Sequence, residues 1–171
     1  MSVLTRLDAR DRALFLKLSL VEQSSIIIRR LWRLITHLGG VMCTTAAAVF
    51  PMRTEGTTGV AARDAFATLL ISHVIVQLVK RTVGRPRPSR TMVCTTLIQE
   101  PDRFSFPSGH AAAAMSIAFA YSVAFPSLAT VLIPLAVLVG MSRVVLGVHY
   151  PGDVLTGQLI AVLTAVPIVF R

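Results

Sequence analysis

Residues 128–148 read LATVLIPLAVLVGMSRVVLGV, and this stretch decides the class of fold. Its 21 residues contain one charged side chain, Arg143, which lies near the C-terminal end of the stretch. A membrane-spanning helix needs about 20 predominantly apolar residues, because the hydrocarbon core of a bilayer is about 30 Å thick. The stretch therefore predicts a transmembrane helix.

Four more apolar segments lie on the two sides of this one, at residues 26–50, 60–79, 110–125 and 154–170. The composition agrees, since 54% of the 171 residues are hydrophobic, 15% are charged and the mean hydropathy is +0.70. A soluble domain has about 25% charged residues. The sequence predicts one all-α domain over residues 1–171, an integral membrane bundle of about five transmembrane helices.

The N-terminal segment differs from these apolar stretches. Residues 3–25 mix apolar and charged positions in a pattern typical of an amphipathic helix. Such a helix either lies in the membrane interface or packs as a surface helix of the same domain, and the pattern fits both. The bundle would have six transmembrane helices if this segment spanned, but Arg6, Asp8 and Arg10 disfavour that.

The formal net charge of +9 comes from 17 basic and 8 acidic residues. An excess of basic charge fits a membrane surface or a phosphorylated small molecule. Nucleic acid is disfavoured as a partner, because aromatic residues are few (6%) and no nucleic-acid-binding motif is present. Cys43 and Cys94 form no disulfide framework and are expected to be unpaired. The sequence predicts no obligate protein partner.

Polar residues gather in three clusters at the ends of the predicted helices. These are residues 80–88 after the second span, residues 106–110 before the third, and residues 142–153 between the fourth and the fifth. Because successive spans cross the membrane in alternate directions, all three clusters come to one face of the bundle. Ionisable residues near a bilayer are rare and mark candidate functional sites.

The residue types in these clusters suit an anion. Lys80, Arg87 and Arg143 supply cations, and arginine matches phosphate oxygens with two parallel hydrogen bonds. Ser108 is a candidate N-cap of the third span, and Gly109 permits close approach of the backbone. The free N–H groups at that helix terminus also favour an anion.

Two histidines and one carboxylate add acid–base chemistry. His110 and His149 can exchange protons near neutral pH. Asp153 follows His149 by four residues across a Pro-Gly turn, so it could bind one ring nitrogen and raise the nucleophilicity of the other. The three residues are also metal-ligand types, but nearby arginines repel a cation. We therefore expect neither a metal nor a cofactor.

On these residues the chain resembles the type 2 phosphatidic acid phosphatases, the membrane branch of a superfamily shared with vanadium haloperoxidases. The motifs of that family are K-x6-R-P, P-S-G-H and S-R-x5-H-x3-D. Here they correspond to residues 80–88, 107–110 and 142–153, in the same order and at the same spacing.

The resemblance implies a role for each motif residue. It implies that His149 attacks phosphorus to form a phosphohistidine, that Asp153 orients His149, and that His110 protonates the leaving lipid oxygen and then activates water. The resemblance further implies that the phosphoryl oxygens are held by the other motif positions, which are Lys80, Arg87, Ser108, Gly109 and Arg143. The family needs no metal.

Other polar residues carry less specific expectations. Arg85 lies inside the first motif and either steers the anionic substrate or is a solvated charge. His73, in the middle of the second span, is expected to be a satisfied histidine of the bundle interior. Glu100, Asp102 and Arg103 either touch a lipid headgroup or are solvated charges of the loop over residues 81–107, and we expect the second.

The predicted function is an integral membrane lipid phosphatase that acts on a lipid phosphate or pyrophosphate. Candidate substrates are polyprenyl (pyro)phosphate, phosphatidylglycerophosphate, phosphatidate and lipid A phosphate. The alternatives are a vanadate-dependent haloperoxidase-like enzyme and a non-catalytic lipid-binding or transport protein. The expected location is the bacterial inner membrane. The face stays open, because the N-terminal basic residues favour the cytoplasmic side whereas many bacterial relatives have an outer site.

Overall fold

The chain folds into a bundle of α-helices. The computed structural model describes residues 3–19, 24–92, 94, 96–100 and 102–171, with side chains from residue 8 onward. These ranges contain no β-strand and eight α-helices, which confirms the predicted all-α class. The helices are α1 (Val3–Leu18), α2 (Ile26–His37), α3 (Val41–Val49), α4 (Gly56–Val83), α5 (Pro88–Thr91), α6 (Gly109–Ala124), α7 (Ala129–Val145) and α8 (Pro151–Val169).

Three helices are long and apolar enough to cross a membrane: α4, α7 with the turn that precedes it, and α8. The pair α2–α3 passes the same test when it is counted as one bent span, and α6 is apolar but has 16 residues. The described residues thus hold three or four candidate spans and a short apolar helix where the sequence predicts five spans. The class of integral membrane bundle is confirmed, and the number of spans stays a prediction.

The predicted first span, residues 26–50, is divided into two helices. The axes of α2 and α3 differ by 42° across a break that contains Gly39 and Gly40. A Cβ atom at Gly39 would lie 2.5 Å from Val139 Cγ1 and 2.8 Å from the carbonyl oxygen of His110. Because Gly39 has no side chain, this break can pack closely against α6 and α7. Hydropathy along the chain does not reveal such a contact.

The central helix of the bundle is α6, which packs against α4, α7 and α8. Its buried positions are mostly alanine, and small residues let membrane helices approach closely and gain van der Waals contact. On α8, a Cβ atom at Gly157 would lie 2.4 Å from the carbonyl oxygen of Ser108. This close contact holds the first residues of α6 against α8, at the end of the bundle that carries the three polar clusters.

The amphipathic helix α1 lies at that same end, which we call the site end. It contacts α7 and α8, and the Asp11 carboxylate accepts a hydrogen bond of 2.7 Å from the N–H of Gly152. Phe15 is fully buried and packs edge-on against Tyr150, whereas Leu14 and Leu16 are exposed. The helix covers residues 3–18 of the predicted 3–25 segment, of which residues 20–23 lie outside the described part.

The loop between α4 and α6 folds back on itself at the site end. The Ser105 N–H donates a hydrogen bond of 2.8 Å to the carbonyl oxygen of Arg85, and Pro86 pairs with Phe104 as an isolated bridge. This pairing brings residues 85–87 beside residues 102–105. The first motif and the segment that leads into the second motif are thereby held together.

Candidate active site

The three polar clusters meet at one cavity of about 420 Å³. The polar end of the cavity is lined by Lys80, Asp102, Gly109, His110 and His149. Its other walls come from α3, α4 and α6 and are mostly apolar, with Val41, Phe66, Leu69, Leu70 and Ala113 among the lining residues. The cavity therefore joins a charged end to an apolar channel between membrane helices.

Arg87 is fully buried and holds several elements of the site together. Its Nε donates to the carbonyl oxygen of Asp102 and its Nη2 to the Asp102 carboxylate, both at 2.8 Å. Its Nη1 donates to the carbonyl oxygen of Val148 at 2.8 Å and lies 3.4 Å from Nε2 of His149. A guanidinium so bound has a fixed position, which is what recognition of a phosphate by its planar fork requires.

Lys80 and Arg87 share the carboxylate of Asp102. Lys80 Nζ lies 3.1 and 3.0 Å from the two carboxylate oxygens and also donates to the carbonyl oxygen of Phe104. Asp102 is exposed, as expected of a loop residue, but its carboxylate is also paired, because the fold-back of the loop carries it to two buried cations. Burial alone would raise the pKa of Asp102, but Lys80 and Arg87 outweigh that effect and hold it below its ordinary value.

His149 is buried at the turn between α7 and α8. Its Nδ1 lies 3.6 Å from Oδ2 of Asp153, beyond hydrogen-bond distance, and has no hydrogen-bond partner among the described residues. A guanidinium only donates, so the contact with Arg87 makes Nε2 the acceptor and leaves the ring proton on Nδ1, toward Asp153. Burial and the nearby Arg143 and Arg87 lower the pKa of His149 to about 4, against the opposing effect of Asp153.

Asp153 is fully buried and its carboxylate is held on both oxygens. Arg85 Nη1 lies 2.6 Å from Oδ1, and Oδ2 accepts hydrogen bonds from the Ser105 hydroxyl and, at 2.8 Å, from the Tyr150 N–H. The last contact is part of the cap of α8, whose first residue is Pro151. The start of the helix therefore orients the carboxylate that faces His149.

Arg85 lies behind Asp153, and it is absent from the lining of the cavity. Besides Asp153 it pairs with Asp8 and Asp11 of α1, each at 2.8 Å, and its guanidinium carbon lies 4.0 Å from the centre of the Tyr150 ring. Burial alone would lower the pKa of Arg85, but the three carboxylates outweigh burial and raise the pKa. Because Arg85 binds protein carboxylates, this geometry supports neither steering of the anionic substrate nor a solvated charge, the two roles expected from the sequence.

Arg143 and Ser108 are buried, and each has one polar side-chain atom without a hydrogen-bond partner among the described residues. The Arg143 Nη1 donates a hydrogen bond of 2.8 Å to the Thr36 hydroxyl of α2, while its Nε has no partner in the described part of the chain. Ser108 occupies the N-cap position of α6, but its hydroxyl makes no capping bond and is likewise unpartnered within the described ranges. Buried polar atoms are usually paired, so both are available for the oxygens of a ligand.

His110 lies in the first turn of α6 and is half-buried. It lines the cavity beside His149, and it also lines a second opening together with Arg143 and His37. Gly109, the first residue of α6, lines the cavity as well. The structure thus places His110, Gly109 and His149 around one space, as the shared face in the sequence predicts.

His73 differs from its expectation. It is exposed on α4 and lines the cavity with Gln77, rather than being enclosed in the bundle interior.

Four contact residues of the site carried no sequence signal: Asp102, Ser105, Thr36 and Asp11. None of them stands at a motif position, and each reaches the site through loop folding or helix packing.

The described residues contain no group of three or more His, Cys, Asp or Glu side chains arranged to hold a metal ion. The acidic residues of the site are instead paired with Lys80, Arg85 and Arg87. Arg143 forms no ion pair within the described ranges, so its positive charge is left for an anionic ligand.

A family model described as the PAP2 superfamily matches residues 61–170. The chain belongs to the PAP2 superfamily. The matched region runs from α4 to the end of α8 and contains all three motifs, while α1, α2 and α3 lie outside it.

Named relatives are similar over about half of the chain. Lipid A 1-phosphatase of Rhizobium etli is 36% identical over 97 residues, which are 54% of this chain and 42% of the relative. Decaprenylphosphoryl-5-phosphoribose phosphatase of Mycolicibacterium smegmatis is 39% identical over 93 residues, 53% of this chain and 49% of the relative. The matches thus span about half the length of these curated relatives.

The fold as a whole matches a solved structure. Aquifex aeolicus LpxE superimposes with a TM-score of 0.81 over 93% of this chain and 94% of that chain, at 23% sequence identity. At this identity the likeness concerns the fold, and it includes the helices N-terminal to the family match.

Proposed function

We propose that this protein is a membrane lipid phosphatase that transfers a phosphoryl group to His149 and then to water. The observation that carries the proposal is the position of the His149 Nε2 atom, which faces Arg87 at 3.4 Å at the charged end of a cavity whose other walls are mostly apolar. A charged end would hold the phosphate, and the channel between helices would hold the lipid chain. The similarity to named lipid phosphatases supports the same reading.

The phosphoryl oxygens are bound by fixed cations and by neutral donors at the start of α6. Lys80, Arg87 and Arg143 supply positive charge, and the Ser108 hydroxyl and the Gly109 N–H supply neutral hydrogen bonds. Donors that are already in place before the reaction stabilise the charge that develops on the equatorial oxygens at little reorganisation cost. The phosphate must share or replace Asp102, whose carboxylate now binds Lys80 and Arg87.

His149 is the nucleophile and Asp153 is its positioning residue. With a pKa of about 4 the imidazole is neutral at pH 7, so Nε2 keeps a lone pair, which attacks phosphorus once the phosphate replaces its 3.4 Å contact with Arg87. The Nδ1–H faces Asp153 at 3.6 Å, a distance that shortens to a hydrogen bond as positive charge develops on the ring. Arg85 and Ser105 keep that carboxylate ionised and oriented.

The proposed reaction has two steps. Nε2 attacks phosphorus, the bond from phosphorus to the lipid oxygen breaks, and His110 donates a proton to that oxygen, so the lipid leaves as an alcohol. Water then attacks the phosphohistidine, His110 accepts its proton, the bond between nitrogen and phosphorus breaks, and inorganic phosphate leaves. Neither step needs a metal or a cofactor.

Substrate class and location follow from the same features. The substrate is a lipid phosphate or pyrophosphate, and related enzymes are named for lipid A 1-phosphate, decaprenylphosphoryl-5-phosphoribose and undecaprenyl diphosphate. We place the protein in the bacterial inner membrane. Membrane lipids are its surroundings, and no protein or nucleic-acid partner is required for the chemistry.

The test is release of phosphate by the purified protein in detergent with a chelator present. We expect phosphate release from at least one lipid phosphate, near-complete loss in His149→Ala, and a cooperative thermal unfolding transition for that variant, which shows that it still folds. A panel of polyprenyl, glycerol and sugar lipid phosphates that gives no release would overturn the proposal. Equal activity of wild type and His149→Ala would do so as well.

A further inference from the structure

Two polar side chains line the cavity deeper in the membrane than the phosphate-binding residues. Gln77 and His73 precede Lys80 on α4 by three and seven residues. Positions with this spacing lie on one face of a helix, and they are about 4.5 and about 10.5 Å from Lys80 along its axis. Both residues line the same cavity as Lys80, and Thr45 of α3 lines it as well.

The two side chains bind each other and still have hydrogen bonds to offer. His73 Nε2 lies 3.4 Å from Nε2 of Gln77, and the described residues provide no other partner for either side chain. An amide nitrogen only donates, so the ring nitrogen accepts in this pair and the ring proton is on Nδ1. One N–H of His73 and the second N–H of Gln77 therefore remain free, which makes the pair rich in donors.

A polar side chain inside the membrane lowers the stability of the fold unless its donors and acceptors form hydrogen bonds. Within the bilayer a donor without a partner finds no water, and ionisable residues inside membrane helices mark substrate pathways. His73 is exposed toward the cavity on a helix whose neighbouring exposed residues are Leu70, Ile71 and Val74. A purely hydrocarbon ligand would leave the free N–H groups unpaired.

We propose that His73 and Gln77 form a second subsite, which binds acyl carbonyl oxygens of the lipid substrate. The proposal rests on the proposed phosphatase function and deepens it. The ligand chemistry is a phosphate ester on a backbone whose acyl groups begin a few bonds from phosphorus, as in an acylated glycerol phosphate or an acylated sugar phosphate. A polyprenyl phosphate carries no carbonyl at that distance and is therefore a poorer substrate.

The decisive comparison uses lipids that differ in the carbonyl groups alone. Diacylglycerol phosphate and its dialkyl ether analogue have the same glycerol, phosphate and chain length. We expect a kcat/KM about tenfold higher for the diacyl lipid, the effect of one to two hydrogen bonds formed away from water. An acylated glucosamine 1-phosphate, measured alongside, shows whether the preferred acyl groups are those of a glycerol lipid or of a sugar lipid. A polyprenyl phosphate is the comparison substrate without acyl carbonyls.

The variants are His73→Phe, Gln77→Leu and the control Leu69→Met, which changes an apolar residue of the same cavity at nearly constant volume. We expect the first two to bring the diacyl rate down to the dialkyl rate while the dialkyl rate is retained. Leu69→Met should keep the ratio of the wild type. A wild type without preference for the diacyl lipid, or a preference that both variants retain, overturns the subsite.

Failure of the proposed function would look different. In that case no lipid releases phosphate, and the subsite is tested by binding instead, with non-hydrolysable diacyl and dialkyl phosphonates and the shift in thermal unfolding as readout. A larger shift for the diacyl phosphonate that disappears in His73→Phe supports the subsite without any turnover. Equal shifts for the two phosphonates overturn it.

Discussion

At the scale of single residues, the site consists of charges that compensate one another, most of them buried. Lys80 and Arg87 share Asp102, and Arg85 binds Asp153. Removing one partner of a buried pair leaves the other charge unpaired, so such residues are sensitive to substitution. His149 is the exception, because it is buried in its neutral form among these charges.

Asp153→Asn is expected to lower kcat by about 10³- to 10⁴-fold with little change in KM, because the amide cannot stabilise the imidazolium-like ring that forms during attack. Steady-state kinetics with a lipid phosphate measure both constants. Ser105→Ala, which removes one hydrogen bond to the same carboxylate, should reduce kcat much less. A rise in KM at constant kcat for Asp153→Asn would show that the carboxylate acts in binding instead.

Asp102→Asn is expected to strengthen inhibition by inorganic phosphate about tenfold, because a neutral amide competes less well for Lys80 and Arg87. The inhibition constant at pH 7 is the measurement. Glu100→Gln is the control, since this residue of the same loop binds the Ser89 hydroxyl and not the two cations. An unchanged inhibition constant for Asp102→Asn would mean that phosphate and this carboxylate do not compete.

At the scale of elements, α1 is connected directly to the catalytic carboxylate. Asp8 and Asp11 bind Arg85, Arg85 binds Asp153, and Phe15 packs against Tyr150. The exposed Leu14 and Leu16 of the same helix suit a membrane interface. The helix at the surface and the buried site are therefore linked by one chain of contacts.

Asp11→Asn is expected to lower kcat about tenfold at constant KM, because Arg85 and the Gly152 N–H both lose a charged partner and Asp153 is less well positioned. Asp64→Asn is the matched control, since Asp64 also pairs with an arginine, Arg171, but away from the site. Equal effects of the two variants on kcat would contradict a specific role for α1.

Gly157→Ala is expected to reduce the free energy of unfolding by about 1–3 kcal/mol, because its methyl group would overlap the carbonyl oxygen of Ser108 and push α6 away from α8. Thermal unfolding in detergent measures the effect. Leu155→Ala on the exposed face of α8 should change stability much less. If Gly157→Ala unfolds at the wild-type temperature, the contact between α6 and α8 is not close in solution.

At the scale of the whole molecule, stability should fall on acidification. Burial and Arg143 and Arg87 lower the pKa of His149 from 6.5 to about 4, so between these values the unfolded chain binds a proton that the folded chain does not. The unfolding free energy should therefore decrease as pH falls from 6.5 to about 4, by about 3 kcal/mol at most for this residue.

The measurement is the thermal midpoint at several pH values for wild type and His149→Gln. Asp102 adds to the loss only at lower pH, as pH falls below its ordinary value of 3.8 and through its lowered pKa in the folded chain. The variant should therefore show a smaller decrease than the wild type between pH 6.5 and 4. Parallel curves for the two proteins would contradict a buried neutral His149.

Hydropathy and motif spacing determined much of this protein. They predict the helical membrane bundle, an amphipathic helix within residues 3–25, which the structure shows at Val3–Leu18, and the shared face of Lys80, His110 and His149. These predictions succeed because helix length, apolar content and the alternation of spans are properties of the chain that packing details do not change.

Only the tertiary structure decided which residues the charged side chains contact. Asp8 and Arg85 are 77 residues apart, and Arg143 and Thr36 are 107 residues apart. The break at Gly39 and the exposure of His73 to the cavity likewise depend on how helices pack. A contact between distant residues has no local pattern in the sequence, because its energy arises only once the helices and the loop have come together.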